Sequence, residues 1–291
     1  MALRIATRGS KLALTQAGEV AELLGGAELV EASSDGEPGD KSRFVRGVER
    51  ALIAGQAELG VHSAKDLPGE LPAELEIAAV PARQDPADVW IGTGGSLEEV
   101  PEGARVGTAS LRRRAQLLVT RPDLRVEELH GNVDTRLRKL AEGELDAIVL
   151  AAAGLRRLGR AGEIGFALPT EQMVPAPGQG CLALQVRRED TATAEAAGAV
   201  TDLAAMRELT AERAAVAPLG ASCATPIGVH ARVEGERMTI VAFVGLPDGS
   251  EWLRDQVDGP AEDPTALGFL LAERLLLAGA RDLLARAEEA A

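Results

Sequence analysis

Apolar and polar positions near the amino terminus follow two different periods. Short apolar runs typical of buried strands occupy residues 3–7, 58–62 and 77–80. Between them, apolar residues recur at helical spacing over residues 14–24 and 44–52, and glycine follows each of these segments. Strands and helices that alternate in this way predict an open α/β sheet.

The same order of elements returns later in the chain. Residues 105–118 predict a strand, a turn and the start of a helix, as residues 3–24 do. Residues 143–150 repeat the pattern of residues 55–62. The repeat predicts two related α/β domains that face each other across a cleft, and ligand sites favour such interfaces.

Two segments rich in proline or glycine predict where the chain crosses between these domains. They are residues 81–86 and 174–180. Beyond them the pattern predicts a small α+β domain, with a helix at 203–216, strands at 229–233, 238–245 and 250–257, and one long helix at 264–290. The predicted domains are residues 1–82 with 181–200, residues 86–175 and residues 203–291.

Composition limits what such a protein binds. The formal net charge of −14 disfavours nucleic acids and anionic membranes as partners, and 2% aromatic residues disfavour stacking against bases. Basic residues nevertheless cluster at 112–114, 136–139 and 156–157. A small anionic ligand in a focused site would explain these clusters, and solvated helix faces would explain them too.

The chain contains no run of 18 apolar residues, and no signal peptide precedes the first predicted strand, so we expect a cytoplasmic protein. Three separated histidines and two cysteines predict neither a metal site nor a disulfide framework. Cys181 is expected in the core. Cys223 lies in a loop of small residues at 218–228, where an accessible reactive sulfur and a buried structural one both remain open.

The strand at residues 58–62 is followed by the polar residues Ser63, Lys65 and Asp66. In open α/β sheets, loops at the carboxyl ends of strands line the ligand crevice. The lysine there offers a cation to an anionic ligand, and the aspartate offers a carboxylate for proton transfer. A surface ion pair after a strand is the alternative interpretation.

The first predicted helix begins beside several hydrogen-bond donors. Ser10 is a candidate N-cap, and Arg8 and Gln16 lie close to it in sequence. Backbone N–H groups at a helix start suit an anion, and these side chains would add to them. An ordinary capped helix explains the same residues.

The corresponding helix of the second unit begins with an electrostatic conflict. Ser110 is a candidate cap, and the first turn carries Arg112 and Arg113. The helix dipole favours negative charge at this end, so two cations there are unexpected. An anionic ligand would remove the conflict.

Seven segments, taken in order, carry a more specific signal. They are residues 5–10 with 12–13 and 16–17, 61–68, 107–113, 131–133 with 135–137, 146–151 with 153–155, 174–180, and Cys223 with 226–228. Any one alone is weak, but seven in order across nearly the whole chain are highly specific. Through them the chain resembles the hydroxymethylbilane synthase (porphobilinogen deaminase) family.

The resemblance implies a fold and a reaction. The fold is two domains like those of type II periplasmic binding proteins around a cleft, with a small third domain. The implied activity is that of a monomeric transferase of heme biosynthesis, which condenses four porphobilinogen molecules head to tail, releases ammonia at each step and hydrolyses off hydroxymethylbilane. The implied cofactor is dipyrromethane, thioether-linked to the loop cysteine, here Cys223.

The resemblance also implies roles for individual residues. Asp66 would assist proton delivery to the substrate amine and stabilise positive nitrogens. The implied cofactor-binding residues are Cys223, Lys65, Thr108, Ser110, Arg112, Arg113 and Arg136. The implied substrate-binding residues are Arg8, Ser10, Gln16, Lys41 and Arg157. Arginines suit this work because each pyrrole carries an acetate and a propionate, which guanidinium groups bind in a bidentate manner.

The chain departs from the family at several positions. The family usually has arginine at His130 and a small residue at Asp134, so we expect one carboxylate clamp to be lost or pH-dependent. The loop at 33–44, which is expected to cover the active site, is short, and its usual Gly-Gly-Lys-Gly-Leu-Phe is Gly-Asp-Lys-Ser-Arg-Phe at 39–44.

Two other functions remain open from the sequence. One is a non-catalytic module that binds small anions with the binding-protein fold; the third domain with its cysteine loop argues against it. The other is a transferase that uses Lys65 as a Schiff-base nucleophile. Lys65 beside Asp66 is expected to stay protonated, which disfavours this chemistry.

Overall fold

The computed structural model describes residues 3–33, 43–220 and 225–289. Its first sheet comprises β1 (Arg4–Thr7), β2 (Glu28–Glu31), β3 (Leu59–Ser63), β4 (Leu75–Ala79) and β10 (Leu182–Arg187). Among these residues the strand order is β2-β1-β3-β10-β4. Strand β1 is parallel to β2 and β3, whereas β10 is antiparallel to β3 and β4. The carboxyl ends of β1 and β3 therefore lie at one edge.

Helices cover both faces of this sheet because its strands are apolar on both faces. The helices are α1 (Lys11–Leu23), α2 (Arg43–Ile53) and α6 (Thr191–Gly198). Successive residues of a strand point to opposite faces, so Ile5 packs with Ala17 and Val20 of α1. Its neighbour Ala6 packs with Leu52 of α2. The sheet is thus a buried middle layer that fixes where its polar ends emerge.

The second sheet repeats this arrangement. It comprises β5 (Asp88–Gly92), β6 (Arg105–Gly107), β7 (Arg125–Glu127), β8 (Ala147–Ala151) and β9 (Phe166–Leu168), with helices α3 (Leu111–Thr120), α4 (Val133–Ala141) and α5 (Ala152–Arg157). The order β7-β6-β8-β5-β9 matches that of the first sheet, and β6 is parallel to β7 and β8. Trp90 is fully buried and stacks on Phe166, with ring centroids 5.7 Å apart.

The two sheets exchange one strand each across the crossing segments. Strand β5 follows the first crossing, and β10 returns to the first sheet after the second. The crossings lie side by side, because Gln84 N donates to Gly180 O at 3.2 Å. Gly180 has a φ of 91°, and a Cβ there would collide with the carbonyl oxygen of Gln84, so this contact requires glycine. The predicted pair of α/β units is confirmed.

The carboxy-terminal unit is an antiparallel sheet packed against helices. Its elements are α7 (Leu203–Val216), β11 (Ile227–Glu234), β12 (Arg237–Gly245), β13 (Trp252–Pro260), α8 (Pro264–Leu277) and α9 (Ala280–Glu289). The prediction of one long helix at 264–290 is wrong. Gly279 adopts a φ of 97° and its N–H bonds Leu276 O at 3.1 Å, which ends α8 and turns the chain into α9.

A buried carboxylate ties this unit to both crossing segments. Glu212 of α7 accepts hydrogen bonds from Arg83 Nη1 at 2.7 Å, Gly178 N at 2.6 Å and Ala231 N at 2.8 Å. Burial alone would raise the pKa of Glu212, but Arg83 and His230 lower it below its usual value. The charged carboxylate therefore joins the first crossing, the second crossing and β11.

Candidate active site

The end of β3 presents a carboxylate beside an arginine from the end of β1. Residues Ala64–Asp66 form a single 3₁₀ turn after β3. Arg8 Nη1 lies 3.6 Å from Asp66 Oδ2, and the two side chains are 29% and 41% exposed. The parallel pairing of β1 and β3 produces this contact, since it brings their carboxyl ends together. The structure thus has a carboxylate within reach of solvent at the sheet edge.

The turn that carries Asp66 packs closely against the second crossing. Gly178 has a φ of 73°, and a Cβ on it would lie 2.9 Å from the Ala64 carbonyl carbon and 3.0 Å from Lys65 N. A side chain at this position would displace the turn. The predicted crossing segment therefore also positions Lys65 and Asp66.

Lys65 lies in a half-buried position with an unusual charge balance. Burial, and next the positive charge of Arg113, lower the pKa of the Lys65 ammonium to about 8, although Asp66 and Asp88 act in the opposite direction. From the sequence, only the neighbouring Asp66 was expected to affect Lys65. The structure adds Arg113 from the second domain, whose positive charge acts with burial to lower the pKa of Lys65.

The polar residues at the start of α1 are engaged within the first domain. Ser10 Oγ accepts from Ala13 N at 3.3 Å and caps the helix. Gln16 Nε2 donates to Ser63 Oγ at 2.8 Å, and that hydroxyl is 3.1 Å from Gln16 Oε1. These bonds hold α1 against the end of β3, next to the turn at Lys65.

The arginines at the start of α3 are buried and paired with Asp88. Arg112 Nη1 donates to Asp88 Oδ2 at 2.7 Å, and Arg113 donates to Oδ1 through Nη2 at 2.8 Å and Nε at 3.0 Å. Gln179 Nε2 donates to the same Oδ1 at 2.9 Å. Asp88 is 0% exposed, and its pKa is held well below its usual range by these arginines, which outweigh burial.

Asp88 was missed by the sequence analysis, which assigned the compensating negative charge to a ligand. For these two guanidinium groups the protein supplies a carboxylate of its own. The available signal was one aspartate inside the apolar run Ala87-Asp88-Val89-Trp90. A charged residue in a buried strand requires a partner, and the arginine cluster was the obvious candidate.

One carboxylate between two guanidinium groups leaves excess positive charge in the cleft. Burial, and then Arg113, lower the pKa of Arg136 to about 10. The same Arg113 lowers the pKa of Lys65. The structure therefore brings both Lys65 and Arg136 within electrostatic range of Arg113, although Lys65 comes from the other domain. A bound anion would stabilise all three charged side chains.

The neutral residues of the second domain shape the turn before α3. Thr108 is buried, and its Oγ1 accepts from Ser110 N at 3.2 Å. Ser110 Oγ accepts from Arg113 N at 3.4 Å and caps α3. In the first turn of α4, Arg136 Nε donates back to Gly131 O at 2.8 Å, in the loop that precedes the helix.

Arg157 spans the two domains. It ends α5, and its Nε lies 3.1 Å from Glu19 Oε2 of α1, while its Nη2 donates to Gly180 O at 3.2 Å. Its side chain is only 5% exposed, whereas that of Glu19 is 38% exposed. Arg157 was predicted from the sequence, whereas its carboxylate partner Glu19 was not.

The remaining predicted positions form pairs near the surface, are buried in the core or lie outside the described residues. His130 Nε2 is 2.8 Å from Glu128 Oε1, and Asp134 pairs with Arg160 at 2.7 Å, both near the surface. Lys41 and Cys223 lie outside the described residues. Cys181 is buried as expected, and burial raises the pKa of its thiol to about 12.

Within the described ranges, no group of three or more His, Cys, Asp or Glu side chains could hold a metal ion. None of the helices in that part of the chain has the length and apolarity to cross a membrane.

Similar solved structures include a putative methionine-binding lipoprotein from Bacillus subtilis, with a TM-score of 0.42, 13% identity and coverage of 67% of this chain and 87% of that chain. The periplasmic VFT2 domain of Bordetella pertussis BvgS has a TM-score of 0.39, 17% identity and coverage of 68% and 86%.

Sequence comparisons identify the family. Residues 3–195 match the porphobilinogen deaminase, dipyromethane cofactor binding domain, and residues 206–277 match the porphobilinogen deaminase C-terminal domain. The porphobilinogen deaminase of Syntrophus aciditrophicus is 44% identical over 99% of both chains. That of Brevibacillus brevis is 44% identical over 97% of this chain and 96% of its own. The chain therefore belongs to the porphobilinogen deaminase family.

Proposed function

We propose that this protein condenses four porphobilinogen molecules head to tail, releases ammonia at each coupling, and hydrolyses off the linear tetrapyrrole hydroxymethylbilane. Membership of the porphobilinogen deaminase family supports this reaction. The observation that carries it is the placement of Asp66, a solvent-accessible carboxylate next to Lys65 and within electrostatic range of the arginines that act on that lysine. That combination suits a substrate with several carboxylates and an amine leaving group.

The donor set in the cleft fits a dipyrromethane cofactor. Its acetate and propionate groups need cations, and the described residues of the cleft carry more cations than the buried carboxylate Asp88 offsets. The residues proposed to hold these carboxylates are Lys65, Arg112, Arg113 and Arg136, with Thr108 and Ser110 fixing the turn. Cys223 is the proposed attachment point. The bound group supplies a primer to which the first substrate is joined.

Asp66 is proposed to act on the amine end of the substrate. It assists proton delivery to the departing amine, which leaves as ammonia. After the amine departs, the same carboxylate stabilises positive charge on the pyrrole nitrogen. Arg8, at 3.6 Å, orients the carboxylate without covering it.

The proposed substrate-binding residues are Arg8, Ser10, Gln16, Lys41 and Arg157. Two of them act through structure, since Ser10 caps α1 and Gln16 fixes Ser63. Arginine is suited to the substrate's carboxylates because its planar fork binds them through two parallel bonds. These roles require the two domains to face one ligand, which the contact of Arg157 with α1 supports.

The finer organisation is proposed as follows. Residues 1–82 with 181–200, residues 86–175 and residues 203–291 act as three domains, and three separate sheets support this division. The protein acts in the cytoplasm as a monomer, without a nucleic-acid or membrane partner. Light scattering after size-exclusion chromatography checks the monomer, since a dimer would have twice the mass of 30.3 kDa.

The first experiment is the intact mass of the purified protein, with peptide mapping. We expect extra mass equal to a dipyrromethane on the Cys223 peptide. A protein purified without it should gain that mass and release ammonia when porphobilinogen is added. If neither happens, the alternative of an anion-binding module with this fold holds instead.

Two substitutions test the assigned residues. Asp66→Ala should lower turnover by about 10²- to 10⁴-fold, the usual effect of removing a proton-transfer group. Glu74→Ala, on an exposed residue of the same domain, is the control and should keep wild-type turnover. Near-normal rates for Asp66→Ala would contradict its role.

Cys223→Ser should not hold cofactor; an adduct retained on that variant would place the attachment elsewhere, with Cys181 the candidate.

A further inference from the structure

The ion pair between Arg157 and Glu19 joins the two cleft domains at a residue proposed to bind substrate. Arg157 belongs to α5 of the second domain, and Glu19 belongs to α1 of the first. The Nε–Oε2 distance is 3.1 Å, and Arg157 Nη2 also donates to Gly180 O in the second crossing. The Arg157 guanidinium, which is proposed to bind a substrate carboxylate, is therefore already paired with the carboxylate of Glu19.

The two members of this pair differ in how firmly they are held. Arg157 is almost fully buried, and burial lowers its pKa while Glu19 raises it. A buried guanidinium without an anion is strongly disfavoured, so Arg157 requires one carboxylate or another. Glu19 is more than one-third exposed, so it can turn to water at little cost. The arginine is fixed, and its partner is exchangeable.

We propose that Glu19 is a positioning residue that competes with a carboxylate of porphobilinogen for Arg157. Without substrate, Glu19 occupies the guanidinium and keeps the first and second domains in contact at α1 and α5. With substrate, the ligand's carboxylate replaces Glu19, which moves into solvent. This inference rests on the proposed function, because it needs a substrate with carboxylates, and it adds a residue that sets the apparent affinity.

The chain offers a matched control on the same helix. Glu22 is exposed on α1, one turn beyond Glu19. Glu19→Gln and Glu22→Gln remove the same charge from the same helix, so any difference between them reflects the contact with Arg157. A general change in the negative potential of the domain would affect both variants equally.

Steady-state kinetics with porphobilinogen distinguishes a Glu19 that competes with substrate for Arg157 from a Glu19 that only holds the two domains together. Glu19→Gln should lower KM about three- to tenfold, since an ion pair with one solvent-exposed partner contributes an effect of this order, and should change kcat less than twofold. Glu22→Gln should match the wild type. A KM that is unchanged or raised in Glu19→Gln, with active wild type in the same assay, overturns the inference and leaves the function intact. Absence of wild-type turnover overturns the function and the inference together.

A binding measurement provides a readout that does not depend on turnover. In the Asp66→Ala background, titration calorimetry with porphobilinogen should give a Kd that is three- to tenfold lower when Glu19→Gln is added. A role limited to holding the domains together predicts the reverse, because loss of the contact would weaken the assembled cleft. An unchanged or raised Kd contradicts the proposal.

Discussion

The starts of α1 and α3 show the same backbone frame put to different uses. Each helix begins with a capping serine and carries a glutamine six residues later. Gln16 bonds Ser63 at the end of β3, whereas Gln116 bonds both backbone groups of Val174, at 2.7 and 3.0 Å. In each domain, therefore, the glutamine ties the helix to the segment that lines the cleft.

The two junctions differ in where they place charge. In the first domain, the aspartate of the pair Arg8–Asp66 remains 41% exposed. In the second domain, Asp88 is fully buried between Arg112 and Arg113. This difference in exposure is the basis for proposing Asp66 as the residue that acts on substrate, whereas Asp88 holds the two arginines in place.

The largest effect on stability should distinguish the two aspartates. Asp88→Ala leaves two buried guanidinium groups without their carboxylate and should lower the free energy of unfolding by about 3–5 kcal/mol. Asp66→Ala removes a partly exposed partner and should cost less than about 1 kcal/mol. Urea unfolding at neutral pH measures both variants. Similar losses would contradict the contrast between a supporting and a catalytic carboxylate.

A second difference lies in the matching strands β3 and β8, where buried His62 corresponds in the repeat to Leu150. His62 Nε2 lies 2.9 Å from Gln185 Oε1, and burial lowers the pKa of His62 to about 4. Because the folded pKa lies below the unfolded value of about 6.5, the unfolded state takes up the proton first. Stability should therefore be complete above pH 6.5 and be lost as pH falls towards 4, by up to about 3 kcal/mol.

The matched variant for this pH effect is His62→Gln, which can still donate to Gln185 but does not titrate. Urea unfolding across pH 4–7 should show a smaller slope for the variant than for the wild type. Burial also raises the pKa of nearby Glu49, which bonds Gln185 and contributes to both proteins. Equal slopes in the two proteins would show that His62 does not titrate in this window.

The smallest predicted effect on stability concerns the N-cap serines, which the starts of α1 and α3 share. Ser10 and Ser110 accept backbone N–H bonds of similar length, 3.3 and 3.4 Å. Ser10→Ala and Ser110→Ala should each cost about 1 kcal/mol of unfolding free energy, since both remove one N-cap. Thermal unfolding measures this loss. A much larger cost at Ser110 would mean that its hydroxyl also supports the buried arginine pair.

The amphipathic helices were predictable from the sequence, and the short edge strands were not. Local spacing predicted α1, α2, α3 and α7, because amphipathic helices leave a strong pattern. Strands such as β7 and β9 are three residues long, too short to show a period, and form through pairing with β6 and β5. The break at Gly279 was overlooked because one glycine is tolerated inside a helical pattern.

The candidate site shows the same division. The sequence, through its motifs, indicated Lys65, Asp66 and the arginine clusters as candidates. Partners such as Asp88 and Glu19 are separated from their arginines by 24 and 138 positions along the chain, so no local pattern links them. Such pairs exist only where the folded sheets and helices bring distant segments together.

The sequence by itself therefore determined the order of the longer strands and helices, the repeat and the family, because these depend on local periodicity and on motifs within short segments. The tertiary structure decided which charges are paired and which remain available. Burial strengthens electrostatic interactions and makes an unpaired charge costly, so the meaning of an arginine or aspartate depends on its depth and partners. For this reason Asp66 and Asp88, which are the same residue type, differ in exposure and in their partners.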